Sequence, residues 1–169
     1  MLFKTYDTNS RLVVEYKYNS ELDDEFIKNC VQVKSLIFNN YTEINQMDLN
    51  SNTYVHNEEK RIFWRGARFN KEILMLSETE LKKIEFGAKF NKQVLNLPQS
   101  LEVLILGSEF NQELNNLPIG LKFLSLTQSE KFNFSLDYLP AGLEKIELSE
   151  YWYKSLENLP IGIKIIFGN

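Results

Sequence analysis

The chain has 169 residues, room for one continuous core, and Leu 24, Ile 13, Val 7 and Phe 12 make up 56 of them, well above the apolar content of disordered chains. Nineteen basic against 23 acidic side chains give a net charge of −4, the wrong sign for an affinity drawn from neutralising phosphates, so nucleic acid is not expected as a partner. One cysteine (Cys30) and one histidine (His56) leave neither an internal disulfide nor four nitrogen and sulfur ligands for a structural metal, and no cofactor is expected.

In chain order, the β-prone runs from Leu2 to Tyr6 and Leu12 to Tyr18 flank Asp7-Thr8-Asn9-Ser10, a hairpin signal. The segment Ser20-Glu21-Leu22-Asp23 predicts the opening of a short helix through Glu25-Phe26-Ile27. Neither a secretory signal nor a transit peptide is legible here, and aliphatic runs of four residues, such as 73–76 and 103–106, are far short of the roughly 18 to 20 that cross a bilayer. Only three alanines stand against 18 asparagines, which disfavours long helices. Charge divides near residue 60, with net −5 over 1–59 and +1 over 60–169.

Val33-Lys34-Ser35-Leu36-Ile37-Phe38 has a Leu-x-x-Leu-x-Leu outline, and residues 33–59 read as one degenerate coil filled by Tyr41, Ile44, Met47 and Leu49. From residue 60 a repeat is explicit. Phe-Asn recurs at Phe69-Asn70, Phe90-Asn91, Phe110-Asn111 and Phe132-Asn133, at intervals of 21, 20 and 22 residues, and Trp152-Tyr153 takes its place in a fifth copy. Four residues after each aromatic comes an aliphatic (Ile73, Val94, Leu114, Leu136, Leu156), then Leu-Pro (Leu97-Pro98, Leu117-Pro118, Leu139-Pro140, Leu159-Pro160), with Leu76-Ser77 in the first copy. Each unit closes on Leu-x-x-Leu-x-Leu: Leu81/Ile84/Phe86, Leu101/Leu104/Leu106, Leu121/Leu124/Leu126, Leu143/Ile146/Leu148 and Ile163/Ile166/Gly168.

The period-two ending predicts a short strand with its leucines on one side. Leu117-Pro118-Ile119-Gly120 and Leu139-Pro140-Ala141-Gly142 place Pro second and Gly fourth, the preference of a type I turn. A unit this short leaves length on its return leg only for extended chain or one 3₁₀ turn. One unit cannot bury its own leucines, whereas stacked units can. The expected fold is therefore a β-rich, leucine-rich-repeat-like right-handed solenoid, with 20–22 residues per repeat, a parallel sheet on one face and short or no helices on the other. Residues 1–32 form the amino-terminal cap, 33–59 the degenerate first coil and 60–169 the repeats, together one domain. At 60–69 the likeness to 81–90 would set Lys60 and Arg65 at inward positions, so either this rung shifts by one residue or two charges escape to the edges. The Phe and Leu columns read as core, the Asn column as loop bracing and the Leu-Pro pairs as turns.

A unit of this length, with Phe-Asn, an aliphatic four places on, Leu-Pro and Leu-x-x-Leu-x-Leu, resembles the FNIP repeat, a leucine-rich-repeat-like unit found mainly in amoebae and the large DNA viruses that infect them. The resemblance covers about residues 60 to 169. It implies a non-catalytic protein-interaction module, linked in many members to ubiquitin-ligase substrate capture through an amino-terminal F-box. The Val33–Phe38 stretch begins too early to leave space for an F-box, so a separate adaptor would be required. The chain is expected in the cytoplasm, that of the host if viral.

With the leucines inward, the residues between them line the outer face. One column reads Ser35, Ile62, Lys83, Val103, Phe123, Lys145, Ile165 and the next Ile37, Trp64, Glu85, Ile105, Ser125, Glu147, Phe167. A solvated face should be polar, so apolar members there mark a contact with a partner protein, centred on Val103, Ile105 and Phe123 and flanked by Lys83/Glu85 and Lys145/Glu147. Packing of neighbouring strands on one another is the competing explanation. The chain stops inside a rung, at Ile163, Ile165 and Phe167, and an unpaired apolar strand edge predicts self-association, as in a two-fold dimer. No Gly-rich phosphate loop, Gly-x-Ser-x-Gly elbow or Cys-His pattern appears, and Glu85 and Glu147 are three rungs apart, roughly 14 Å at about 4.8 Å per rung, too far for a glycosidase pair. The alternatives are glycan binding by the aromatic columns or a structural role at a surface.

Overall fold

The computed structural model describes residues 3–6, 11–14, 22–31, 33–38, 41–44, 55–57, 60–64, 68–73 and 76–168. Strands β1 (Phe3–Tyr6) and β2 (Arg11–Val14) pair antiparallel as the hairpin signal requires, and β2 then pairs parallel with β3 (Ser35–Phe38). Between them lies α1 (Asp24–Val31). Its amino end is capped by Asp23, whose Oδ1 accepts the Phe26 backbone N–H at 2.9 Å. Phe26, Ile27 and Cys30 turn into the core, while Asp24, Glu25 and Lys28 stay in water.

After β3 the chain leaves the stack. Strands β4 (Tyr41–Ile44), β5 (Val55–Asn57) and β6 (Lys60–Trp64) form a separate antiparallel sheet with β6 in the middle. The expected coil over 33–59 is thus a rung, β3, followed by an excursion; Met47 and Leu49 lie outside the described residues. The rung expected at 60–64 is absent from the main sheet, because β3 pairs directly with β7 (Lys83–Glu85). The physical reason is in the residues: that rung would have set Lys60 among leucines, and burying an unpaired charge costs more than an antiparallel partner gives up.

From β7 the stack is regular. Strands β8 (Val103–Ile105), β9 (Phe123–Leu126), β10 (Lys145–Ser149) and β11 (Lys164–Gly168) follow in parallel, completing an eight-stranded sheet in the order β1-β2-β3-β7-β8-β9-β10-β11. The molecule is a β-solenoid with almost no helix beyond α1 among the described residues; one 3₁₀ turn, Leu76–Glu78, lies on the return side. Each coil hooks onto the last through a shared carbonyl: the Glu102 and Val103 amides both donate to the Lys82 oxygen, Lys122 and Phe123 to Glu102, and Glu144 and Lys145 to Lys122.

Both bends are closed by backbone bonds. The Leu-Pro turns run from the proline carbonyl to the amide three residues on (Pro98 to Leu101, Pro118 to Leu121, Pro140 to Leu143, Pro160 to Ile163), so proline is the first turn residue and not the second. Glycine accordingly falls at the third place, and at Gly162 it takes φ +83°, a conformation open to it without strain. The other bend ends at the repeat aromatic, where Phe90, Phe110, Phe132 and Trp152 donate to Gly87, Gly107, Ser129 and Ser149. Gly87 and Gly107 approach so closely that a Cβ on Gly107 would lie 2.4 Å from the Gly87 oxygen. One coil later Ser129 donates its hydroxyl to the Leu106 and Gly107 carbonyls, at 3.1 and 2.9 Å.

Inside, the strand leucines Leu104, Leu124 and Leu148 with Ile84 and Ile146 are fully buried. Beside them the repeat aromatics pile up with nearly parallel rings: Phe69–Phe90 5.9 Å, Phe90–Phe110 6.2 Å, Phe110–Phe132 6.0 Å and Phe132–Trp152 5.9 Å between centroids. The asparagines form a second column. The Oδ1 of Asn70 accepts the Asn91 amide at 2.9 Å, that of Asn91 the Asn111 amide at 2.8 Å and that of Asn111 the Asn133 amide at 2.9 Å. A bend amide that no strand can reach thereby finds its partner in the coil below.

Candidate functional site

The outer sheet face is built by alternation. With Ile84, Leu104, Leu124 and Ile146 inward, their neighbours on β7 to β10 must point out. The registers align them in two unbroken rows, Lys83, Val103, Phe123, Lys145 and Glu85, Ile105, Ser125, Glu147. Eight of the nine residues expected to hold a partner are thereby gathered on one surface. Ser35 and Ile37 extend the rows across β3.

Trp64 does not join them. It lies on β6 in the antiparallel sheet, opposite Tyr41, and Ile62 goes with it, opposite Glu43 and Val55. The likeness of 60–69 to 81–90 predicts a rung, whereas β6 pairs with β5, three to seven positions before it, and with β4 further back in the chain.

The far end of the rows also differs. Lys145 pairs with Lys164, Ile146 with Ile165, Glu147 with Ile166 and Leu148 with Phe167, one residue out of phase with the repeat. A slip of one exchanges the two faces of a strand. Ile165 and Phe167 therefore belong to the inner side, where Ile165 packs on the core, and Lys164 and Ile166 continue the outer rows in their place. In the repeat phase the inward places would fall to Ile166 and Gly168, whereas in the slipped phase they fall to Ile165 and Phe167.

The charges at the margins are spent on one another. Lys83 Nζ is 3.1 Å from Glu85 Oε2 and Lys145 Nζ is 2.6 Å from Glu147 Oε1, each pair spanning a single strand. Lys145 also sits 4.8 Å from the centre of the Phe123 ring, close enough for a cation–π contact. Between these pairs Val103, Ile105 and Phe123 are half-buried by mutual packing, and Ser125, nearly buried, shares a 3.1 Å bond with Thr127. The result is an apolar, charge-neutral strip about two strands wide, framed by lysine–glutamate pairs.

A further charge ladder runs beside the face. Glu102 is held by Lys82 at 3.0 Å and Lys122 at 3.2 Å, and hydrogen bonds from these two lysines keep its carboxyl below the usual range. Glu109 is likewise gripped by Lys131 and, at 3.5 Å, by Lys89. Among the described residues no group of three or more His, Cys, Asp or Glu side chains could hold a metal ion, and no helix is long and apolar enough to cross a membrane. The strip can exclude water from an apolar surface laid on it and offer the rim charges as hydrogen-bonding partners.

Two overlapping stretches, residues 69–108 and 90–129, match the family model of the FNIP repeat. Residues 69–129 are thus similar to FNIP repeats, and strands on both sides continue the same sheet. Among solved structures the chain is similar to CroV588, a circular leucine-rich-repeat protein, at 19% identity and a TM-score of 0.39 over 99% of this chain. It spans 31% of that protein's length. No curated protein matches the chain. Leucine-rich and FNIP repeats are commonly non-catalytic scaffolds for protein interaction.

Proposed function

We propose that the chain binds a partner protein through the outer face of its parallel sheet, with Val103, Ile105 and Phe123 as the centre of contact and Lys83–Glu85 and Lys145–Glu147 as its rim. The observation that supports this reading is the exchange of character along the rows: Lys83 and Glu85 on β7, Val103 and Ile105 on β8, Phe123 with Ser125 on β9, and Lys145 and Glu147 on β10. Packing of Val103 on Phe123 across neighbouring strands accounts for their adjacency, and a partner contact accounts in addition for the self-neutralised pairs on both sides. A partner that lays apolar side chains on this strip gains their burial without having to desolvate an unpaired charge. Substrate capture for a ubiquitin ligase, through a separate adaptor, is the cellular role that fits a scaffold of this kind.

Pull-down from the native cell with the intact chain and with the Ile105→Ser, Phe123→Ser double variant tests the reading. Both variant positions face outward, so the variant is expected to keep the far-ultraviolet circular dichroism of the parent while losing the partner. A variant that folds and retains every partner rejects the strip as the contact. The same bait applied to a glycan array separates sugar binding from protein binding.

A further inference from the structure

The two outer rows complement each other. From β7 to β10 one row carries Lys83, Val103, Phe123 and Lys145 and the other Glu85, Ile105, Ser125 and Glu147, in register strand by strand. Lysine in one row therefore stands beside glutamate in the other at both ends, and Val103 stands beside Ile105. On β9 the largest apolar side chain of the strip, Phe123, stands beside the smallest, Ser125, which is 7% exposed. A face of this kind matches a copy of itself wherever each row meets the other row.

The charges select the symmetry axis. An axis parallel to the strands would lay β7 on β10 of a second copy, with Lys83 over Lys145 and Glu85 over Glu147, like charge on like. An axis along the rows, midway between them, instead lays each strand antiparallel over its own counterpart. Lys83 then lies over Glu85 of the second copy, Val103 over Ile105, Phe123 over Ser125 and Lys145 over Glu147, each pairing occurring twice, and no like charges face each other. Sheet twist is a rotation about this same direction, so the operation leaves it unchanged and the two faces keep one separation, about 10 Å for packed sheets. The rim is already ordered by its own ion pairs, with none of Lys83, Glu85, Lys145 and Glu147 more than 35% exposed, so little side-chain freedom remains to be lost.

We propose that the outer face binds the outer face of a second copy of this chain, about a two-fold axis that runs along the rows. This rests on the reading of the face as a protein contact and names the partner. Such an isologous contact buries Val103, Ile105 and Phe123 of both copies and joins each lysine–glutamate pair to its counterpart in an alternating set of four charges.

The test is mass in solution combined with an exchange of charges. The rows from β7 to β10 span roughly 14 Å at about 4.8 Å per strand, a contact at the small end of interface sizes, so association depends on concentration. Light scattering on the parent is expected to rise from the 19.9 kDa chain mass toward twice that value between about 10 µM and 0.5 mM. Lys83→Glu sets a carboxylate over Glu85 of the second copy, and Glu85→Lys sets an ammonium over Lys83. Each variant alone is expected to keep the single-chain mass over that range, with unchanged circular dichroism. Mixed in equal amounts, the two variants present opposite charges at both facing places and are expected to regain the doubled mass, as is the chain that carries both exchanges. A parent that stays monomeric up to about 0.5 mM, single variants that associate like the parent, or a mixture that fails to pair overturns the proposal. The face as a protein contact is judged on a separate measurement, the loss of partners from the Ile105→Ser, Phe123→Ser chain in the pull-down. A monomeric parent together with that loss refutes the second copy and leaves the contact standing.

Discussion

Replacing Gly107 by alanine puts the closeness of the coils to a direct test. The added methyl would lie 2.4 Å from the Gly87 oxygen, 2.6 Å from the Gly87 carbonyl carbon and 2.9 Å from the Ala88 Cα, all backbone atoms with no rotamer to swing away. Gly107 does not have a positive φ, so alanine itself is unstrained and the whole effect is steric. Restoring an ordinary contact requires the two coils to part by about 1 Å at this bend. The Glu109 to Ala88 bond of 2.9 Å and the Asn111 to Asn91 bond of 2.8 Å then stretch beyond hydrogen-bonding range. Two bonds at about 1 kcal/mol each, together with about 1–3 kcal/mol for the strain of overpacking, come to about 3–5 kcal/mol. Urea unfolding followed by tryptophan fluorescence measures it as a lowered midpoint at constant slope. Two glycines calibrate the result. Gly120→Ala, whose methyl would meet the Gln99 oxygen at 3.4 Å, is expected to change stability by less than about 0.5 kcal/mol. Gly162→Ala, in open space but at φ +83°, is expected to cost about 1 kcal/mol through backbone strain alone. If Gly107→Ala is no less stable than Gly120→Ala, the argument from coil contact is refuted.

The remaining predictions concern the columns. Asn111→Ala removes the acceptor of the Asn133 amide and is expected to cost about 1 kcal/mol, whereas Asn111→Asp keeps an oxygen there and should cost less; the same urea assay ranks them. Phe110→Ala opens a gap in the middle of the ring stack and is expected to cost about 3–5 kcal/mol. Burial pushes the Cys30 thiol from 9.0 up to about 12, so the unfolded chain ionises first and stability falls as pH rises between these values, by up to about 1.4 kcal/mol per unit. Urea midpoints at pH 8 and pH 10 read the slope, which Cys30→Ala should flatten. The lowered carboxyl of Glu102 works at the other end of the scale: its contribution is present above the ordinary carboxylate range and is lost as pH falls through the depressed value. Glu102→Gln should therefore lower the midpoint at neutral pH and flatten its fall on acidification, leaving the alkaline slope unchanged.

What could be read from the residues alone followed from whether the information was local. The period of Phe-Asn and the alternation of Leu-x-Leu sit within each unit, so the ring column, the Asn column and the rows from β7 to β10 followed from them. Asp23 and the helix it caps were legible for the same reason. The strand at Lys60–Trp64 was not. The charge at 60 conflicts with a rung, and the structure answers with neither a shift nor an escape to the edge: the whole strand moves into another sheet, paired locally with β5 and at longer range with β4. Ile163-Lys164-Ile165-Ile166-Phe167 was ambiguous because three of its apolar residues are consecutive, so both phases offer an inward isoleucine. The register with β10 sets the phase, and period alone does not contain that.

The Asn column has a bearing on how such a molecule can change its length. Every link in it is the same bond, made by one side chain to the backbone one storey up, and no link depends on how many others exist. Excising or doubling a whole storey, such as the span from Phe90 to Glu109, returns Asn beneath Asn and Phe beneath Phe. Gene duplication can therefore set the height of the column without inventing a new contact. Asp23 and Tyr153 make bonds of another kind and stand outside that repeated storey.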